Sequence, residues 1–255
     1  MDLAALVGWL RGDGMAKETD IEWADSTFNT WFGCTKISPA CHECYAERIT
    51  HGKGWGNQPR IRTSPSYWRQ PLLWNADGPR FQREHGHRQR VFCSHMSDFF
   101  DNQADPQWRA EAWKLIRATP NLDWLILTKR PQNIAKMLPP DWGDSYPNVW
   151  LGISAEDEHY YVQRWSILAT ILAVVRFVSY EPALGPLGPI DIGVGVLPHW
   201  IIVGGESGKN PREMDLQWAR DVRDECDRLG IAYFFKQTTA KRAIPRDLMV
   251  RQWPR

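Results

Sequence analysis

Apolar positions in the second part of the chain gather into short runs at Val91–Cys93, Trp124–Leu127, Val149–Ile153, Val174–Val178, Trp200–Val203 and Ile231–Phe235. Each run is three to five residues long and drawn mainly from Val, Ile, Leu, Phe and Trp. Continuous rather than alternating apolar character suits strands covered on both faces, so the runs predict a buried parallel sheet. Their starts lie 33, 25, 25, 26 and 31 residues apart, which leaves room for a strand, a helix and two turns. Two of the intervals carry helical periodicity. In 106–118, Trp108, Ala112, Leu115 and Ile116 share one face; in 215–229, Leu216, Ala219, Val222, Cys226 and Leu229 do the same. Asp215 is the candidate N-cap of the second helix and Gly230 its C-cap. The stretch 182–198 is too rich in Pro and Gly for a helix and reads as a loop crossover. The pattern predicts a single α/β domain over 1–255.

Every run stops on polar residues. The endings are Ser94-His95-Met96-Ser97-Asp98, Thr128-Lys129-Arg130, Ser154-Ala155-Glu156-Asp157, Ser179-Tyr180-Glu181-Pro182, Gly204-Gly205-Glu206-Ser207-Gly208 and Lys236-Gln237-Thr238. Parallel strands end on one side of their sheet, and ligands bind there. Six polar endings therefore predict one shared polar site, although loops also begin on polar residues simply to meet solvent.

Composition narrows the class. With 43% hydrophobic and 24% charged residues over 255 positions, disordered and collagen-like chains are excluded. No run approaches the ~18–20 apolar residues of a membrane helix. The opening MDLAALVGWLRGDG lacks the basic start of a signal peptide, so a cytoplasmic protein without a membrane partner is expected. The net charge of +1 hides an uneven distribution: residues 51–90 carry eight basic against two acidic side chains, and the tail 241–255 five against one. In 51–90, Lys53, Arg60, Arg62, Arg69, Arg80, Arg83, Arg88 and Arg90 alternate with Trp55, Tyr67, Trp68, Trp74 and Phe81. Cations for phosphates and rings for bases are what nucleic-acid binding uses. A surface insertion whose aromatic rings pack on the body fits the same residues equally well.

Five cysteines in a cytosolic chain of this length do not make a disulfide framework. Three of them, Cys34, Cys41 and Cys44, fall within eleven residues. A short aromatic strand over 28–32 runs into Cys34, and the Cys41–Cys44 pair is expected to open a helix, whose dipole and free amides favour thiolates. Three thiolates from one loop can hold three corners of a cubane iron–sulfur cluster and leave the fourth iron without a protein ligand. A structural zinc would need a fourth ligand from His42 or His51. Three unrelated thiols are the remaining reading. Cys226 lies on an apolar helix stripe and reads as core, and Cys93 lies inside a strand.

In the run Trp23-Ala24-Asp25-Ser26-Thr27-Phe28-Asn29, followed by Cys34, Cys41 and Cys44-Tyr45-Ala46, the chain resembles the radical SAM superfamily. Within it, the chain is most similar to phage and prophage proteins sharing W-x-D-x-T-x-N and C-x6-C-x2-C-Y-A patterns. The resemblance covers residues 20–238. It implies a partial (β/α)6 barrel with an inserted segment, 51–90, after the first β/α unit. It also implies a 4Fe–4S cluster on Cys34, Cys41 and Cys44, S-adenosylmethionine as cosubstrate, and an electron donor such as flavodoxin or ferredoxin. The implied activity is reductive cleavage of S-adenosylmethionine to methionine and a 5′-deoxyadenosyl radical. That radical would modify or rearrange a nucleobase or nucleotide, such as a hypermodified thymidine in phage DNA.

The resemblance also implies site residues. The first cysteine gap is six rather than the usual three, and Glu43 stands where an aromatic residue commonly precedes the last cysteine, so Tyr45 becomes the ring beside the adenine. The usual glycine-rich motif for the methionine ammonium is absent, and Ser94, Ser97 and Asp98 take its place by position. Ser154 and Glu156 suit the ribose hydroxyls, Gly204 and Gly205 a close backbone approach to the nucleoside, and Glu181 and Glu206 the ammonium or ribose. Lys129, Tyr180 and Lys236 are the candidate catalytic residues. Two other classes compete with this reading: a non-catalytic zinc or iron–sulfur protein that binds nucleic acid, and a barrel hydrolase using the strand-end carboxylates with a divalent metal.

Overall fold

Seven parallel strands in strict chain order form one curled half-barrel sheet in the computed structural model, which describes residues 19–254. The opening segment read above for a signal peptide lies outside the described residues, as do the rest of 1–18 and residue 255 of the expected 1–255 domain. The sheet strands are β1 (Ser26–Phe28), β4 (Gln89–Cys93), β5 (Leu122–Thr128), β6 (Val149–Ala155), β7 (Val175–Tyr180), β8 (Trp200–Gly204) and β9 (Ala232–Gln237). Two further short strands, β2 (Trp31–Phe32) and β3 (Ile61–Arg62), pair antiparallel outside it. All six apolar runs are strands. The sheet has seven strands rather than six because Ser26–Phe28 joins it as β1, in register with β4, while the rest of the aromatic strand expected over 28–32 breaks away and pairs outside it as β2.

Alternation along each strand separates two cores. One face of the sheet, carrying Val91, Trp124, Ile126, Leu151, Ile153, Val178, Ile201, Val203, Tyr233 and Phe235, packs under the helices α3 (Pro106–Arg117), the short α4 (Ile134–Met137), α5 (Glu158–Leu168) and α6 (Leu216–Leu229). The opposite, inner face carries Phe92, Leu125, Trp150, Phe177, Trp200, Ile202 and Phe234, which pack together with Trp23 and Trp253. This inner aromatic cluster fills the N-terminal half of the half-barrel. What remains of the inner face, at the strand C-termini, is polar.

The helices α3 and α6 match their sequence signals. In α6 the Asp215 side chain accepts from the Gln217 amide at 2.8 Å, and Gly230 closes the helix at φ 70°. Losing that cap should cost about 1 kcal/mol. Asp215→Ala is therefore expected to lower the melting temperature by about 2–4 °C for a chain this size, and calorimetry would show it. The stretch 182–198 has no helix and covers the sheet instead with buried Ala183, Leu187 and Ile190.

The reading of 51–90 changes. This segment is the crossover from β1 to β4, not an insertion after a completed unit: its long helix α2 (Gln70–His85) packs on β4 and β5. The helix opened by the cysteine pair, α1 (Tyr45–Ile49), has only five residues. The aromatic residues of the segment are largely core. Tyr67 stacks on Phe28 with ring centroids 5.0 Å apart, and Trp55 and Trp74 are buried. The basic tail is likewise folded in. Residues 250–252 run antiparallel along the free edge of β9, Arg251 pairs with Glu22 at 2.7 Å, and Arg90 stacks on the Trp253 ring. Covering an edge strand in this way removes a row of unpaired backbone groups. No helix among the described residues is long and apolar enough to cross a membrane.

Candidate functional site

The three-cysteine loop is fastened to the polar end of the sheet by its first residue. Gly33, directly after β2, donates its amide to the Met96 carbonyl at 3.1 Å and bridges Ser97 in the turn that ends β4. Its φ of 101° and the Gly54 carbonyl, 2.0 Å from where a Cβ would stand, leave no room for any other residue. The same turn is held from β1: Ser94 donates its amide to the Phe28 carbonyl at 2.7 Å and Asn29 accepts from the Met96 amide at 2.9 Å. Ser94 itself sits at φ 64°, a left-handed conformation that costs a non-glycine residue on the order of 1–2 kcal/mol. Cys34 and Cys44 then pack on one small cluster of Phe32, Ala46, Trp55 and Met96.

Within the loop, Cys41 ends a 3-10 turn over Pro39–Cys41 and Cys44 is the N-cap residue of α1. A five-residue helix has little dipole to offer, so the expected stabilisation of thiolates by α1 is replaced by side-chain cations. Burial works against ionisation of Cys41, yet the Lys129 ammonium and hydrogen bonds at Ile37 and Ser38 outweigh it and hold the thiol below its ordinary value. Lys36, paired to Glu47 at 2.7 Å, also feels the charges of Cys41 and Cys44. Cys34 is the opposite case: burial, with Asp98 adding to it, pushes its thiol up to about 12 against the pull of Arg130. Arg130 places Nη1 3.2 Å from the Cys34 sulfur.

The candidate residues divide by the face of the sheet they occupy. Lys129 lies 3.4 Å from the Ser154 hydroxyl, tying β5 to β6 on the inner face beside Cys41. Glu181 and Lys236 form an ion pair that spans β7 to β9, each less than a fifth exposed. Gly204 stands on β8 between them, and a Cβ there would come within 3.0 Å of the Glu181 side chain, so this glycine makes room for the pair. Tyr45, itself exposed, stacks over His95, ring planes 14° apart, and donates to the His95 carbonyl at 3.0 Å. Cys41, Lys129, Ser154, Tyr45, Glu181 and Lys236 thus share one mouth.

Other candidates are committed within the fold. Asp98 is 5% exposed and accepts from the Thr128 hydroxyl at 2.6 Å, from the Phe100 and Lys129 amides, and from Arg130. Ser94 bonds Thr30 at 3.1 Å, and Ser97 shapes the turn under the cysteine loop. These three support the loop rather than lie open beside it. Glu156 is fully enclosed and paired to Arg164 at 2.8 Å. Gly205 lies against the Thr238–Thr239 backbone, 2.5 Å from a would-be Cβ, so its lack of a side chain makes room for the chain's own packing. Glu206 is gripped by Arg212 at 2.5 Å, which overcomes the effect of burial and holds the carboxyl below its usual range. Tyr180 is turned away from the mouth: odd and even positions alternate across β7, and its ring is fully buried on the helix side with its hydroxyl on the Gly185 carbonyl. Cys93 and Cys226 are fully buried in that same core.

Sequence reasoning passed over three residues that shape the site: Arg130, His95 and Arg212. Arg130 and His95 stood in the polar strand endings, but nothing in one sequence marks which ending will fold back onto a cysteine. Among the described residues no three His, Cys, Asp or Glu side chains are grouped closely enough to hold a metal ion. The donor chemistry nevertheless suits a soft metal group. Three sulfurs come from one loop, with Lys36, Lys129 and Arg130 around them to offset thiolate charge.

A family model described as a protein of unknown function (DUF5131) matches residues 18–248, and the chain belongs to that family. No curated protein and no solved structure matches it.

Proposed function

We propose that this DUF5131 protein is a radical S-adenosylmethionine enzyme whose Cys34, Cys41 and Cys44 hold a 4Fe–4S cluster. The observation that carries the reading is the seating of the three-cysteine loop on the C-terminal ends of a curled parallel sheet, with cations beside its sulfurs. With S-adenosylmethionine bound, such a cluster supplies the electron that cleaves the cosubstrate reductively.

The chain's own residues supply the surroundings. Lys36 and Lys129 offset the negative charge of the thiolates, and Ser154 holds the Lys129 ammonium in place. The Glu181–Lys236 pair offers a carboxylate for an ammonium or hydroxyl group and an ammonium for a carboxylate or phosphate. Tyr45 and His95 wall one side of the mouth. The aromatic cluster beneath closes the inner face, so a ligand enters from the cysteine end and water is kept from below.

The substrate proposed with it is a nucleobase or nucleotide, as in DNA of phage type, and flavodoxin or ferredoxin is the proposed electron donor. Sequence resemblance supports that choice, since the basic segment 51–90 is mostly engaged elsewhere. Arg60 is buried on Asp101, Arg62 pairs with Glu111, Arg80 with Asp77 and Arg88 with Asp123. A mononuclear zinc protein is the second reading, because His42 and His51 line one cleft with Cys44.

Anaerobic protein incubated with dithionite and S-adenosylmethionine tests the first reading. It should release 5′-deoxyadenosine, measured by chromatography, at a rate well above a Cys41→Ala control. A fully loaded cluster that yields none, with nucleotides and DNA supplied, would overturn it.

A further inference from the structure

Among the cations around the cysteine loop, Arg130 is placed with its guanidinium directly on a cysteine sulfur. It is the second residue after β5, is 5% exposed, and its guanidinium is divided among three partners. Nη1 lies 3.2 Å from the Cys34 sulfur and 3.2 Å from Asp98 Oδ2, and Nη2 donates to the Thr35 carbonyl at 2.8 Å. Its own amide donates to the Thr128 hydroxyl, which in turn donates to Asp98 Oδ1. Asp98, bonded also by the Phe100 and Lys129 amides, is itself fixed. The chain carboxylate–guanidinium–sulfur is therefore rigid and nearly dry, and a charge held there is screened little by salt.

We propose that Arg130 is a positioning residue that sets the reduction potential of the group bound at Cys34, with Asp98 as its anchor. The inference rests on the reading of the three cysteines as cluster ligands. One-electron reduction of a cluster adds one negative charge and breaks no bond. A cation and N–H donor at the sulfur favour the reduced form over the oxidised one, and hydrogen bonds to the sulfurs are among the factors that set such potentials. Removing them shifts the equilibrium toward the oxidised form, so the potential falls. Arginine at this place makes the cluster easier to charge from a donor, while Asp98 keeps the guanidinium from swinging out to solvent.

The test is a mediated redox titration of the anaerobically loaded protein, with dithionite as the electron source and the reduced-cluster electron paramagnetic resonance signal as the readout. Three forms are compared: the unaltered protein, Arg130→Gln and Arg130→Lys. Normalising each signal to bound iron makes partial loading harmless. Arg130→Gln is expected to weaken reduction about tenfold, 59 mV for a one-electron couple, and Arg130→Lys, which keeps the charge, to recover much of it. A Gln midpoint within twofold of the unaltered protein's would overturn the proposal while leaving the cluster reading intact. An unaltered protein that assembles no cluster would overturn both.

Discussion

Replacing Cys34, Cys41 or Cys44 with alanine, one at a time, is expected to leave the protein without iron, whereas Cys93→Ala and Cys226→Ala keep a full complement. The contrast follows from where the five sulfurs lie. Cys34, Cys41 and Cys44 are half-buried on the loop above the strand ends, within reach of Lys36, Lys129 and Arg130. Cys93 and Cys226 are fully enclosed on the far side of the sheet, where burial raises both thiols as it does that of Cys34, but no cation acts on either as Arg130 does on Cys34. A thiol without a cation and without access neither ionises nor ligates. Substituting them should cost on the order of 1 kcal/mol of packing and nothing in iron. The measurement is iron and sulfide per chain after anaerobic reconstitution, together with the broad visible absorption of a cluster. About four irons in the unaltered protein are expected. Full iron in any of the three loop variants would remove that cysteine from the ligand set. A colourless protein with one zinc would favour the second reading, with His42 or His51 as the added ligand.

The sheet was legible in the sequence because its strands are buried on both faces. The run Trp124–Leu127 is apolar at every position and lies within β5, as Val149–Ile153 lies within β6. The strand ends were legible for the same reason in reverse, since a polar residue in a two-sided core must mark an edge. What did not show was the side on which each ending falls. Tyr180 and Glu181 are adjacent, yet one is sealed under the helices and the other paired to Lys236 at the mouth, because successive residues of a strand point to opposite faces. Reading register off a six-residue strand requires knowing which face carries the helices, and the chain gives that only through its crossovers. The helix expected at the cysteine pair is there, with Cys44 as its N-cap residue, but its shortness left no trace in the sequence. Its five residues are fixed by the tertiary clamp of Gly33, Met96 and Trp55 rather than by local propensity. Partners far apart in sequence, such as Cys34 and Arg130, leave no local trace.

Arg60 shows how a charge can be read wrongly from composition, and it makes the sharpest stability test. In sequence it belongs to a basic stretch fit for phosphates. In the fold it is 6% exposed and donates in every direction: to Asp101 at 2.7 Å, to the carbonyls of Gly54, Gly56 and Gln58, and to the side chains of Thr35 and Gln103. It is the knot that closes the loop after α1 and ties it to the cysteine loop through Thr35. Arg60→Met would leave the Asp101 carboxylate, fully buried, without its counter-charge, and removing one partner of a buried pair costs about 3–5 kcal/mol. Against a total stability of about 5–15 kcal/mol, that is a large fraction. Arg62, two residues on, lies half-exposed on Glu111 and over the Trp68 ring, and Arg62→Met should cost about 1 kcal/mol or less. Urea titrations of the two variants separate the cases, and pairing Arg60→Met with Asp101→Leu should recover part of the loss by removing the stranded charge. Because the knot holds Thr35, Arg60→Met should also retain iron less well than Arg62→Met at matched fractions folded. An Arg60→Met protein as stable as the unaltered one would mean that its guanidinium is free to meet a ligand, and the basic stretch would regain its claim on phosphates.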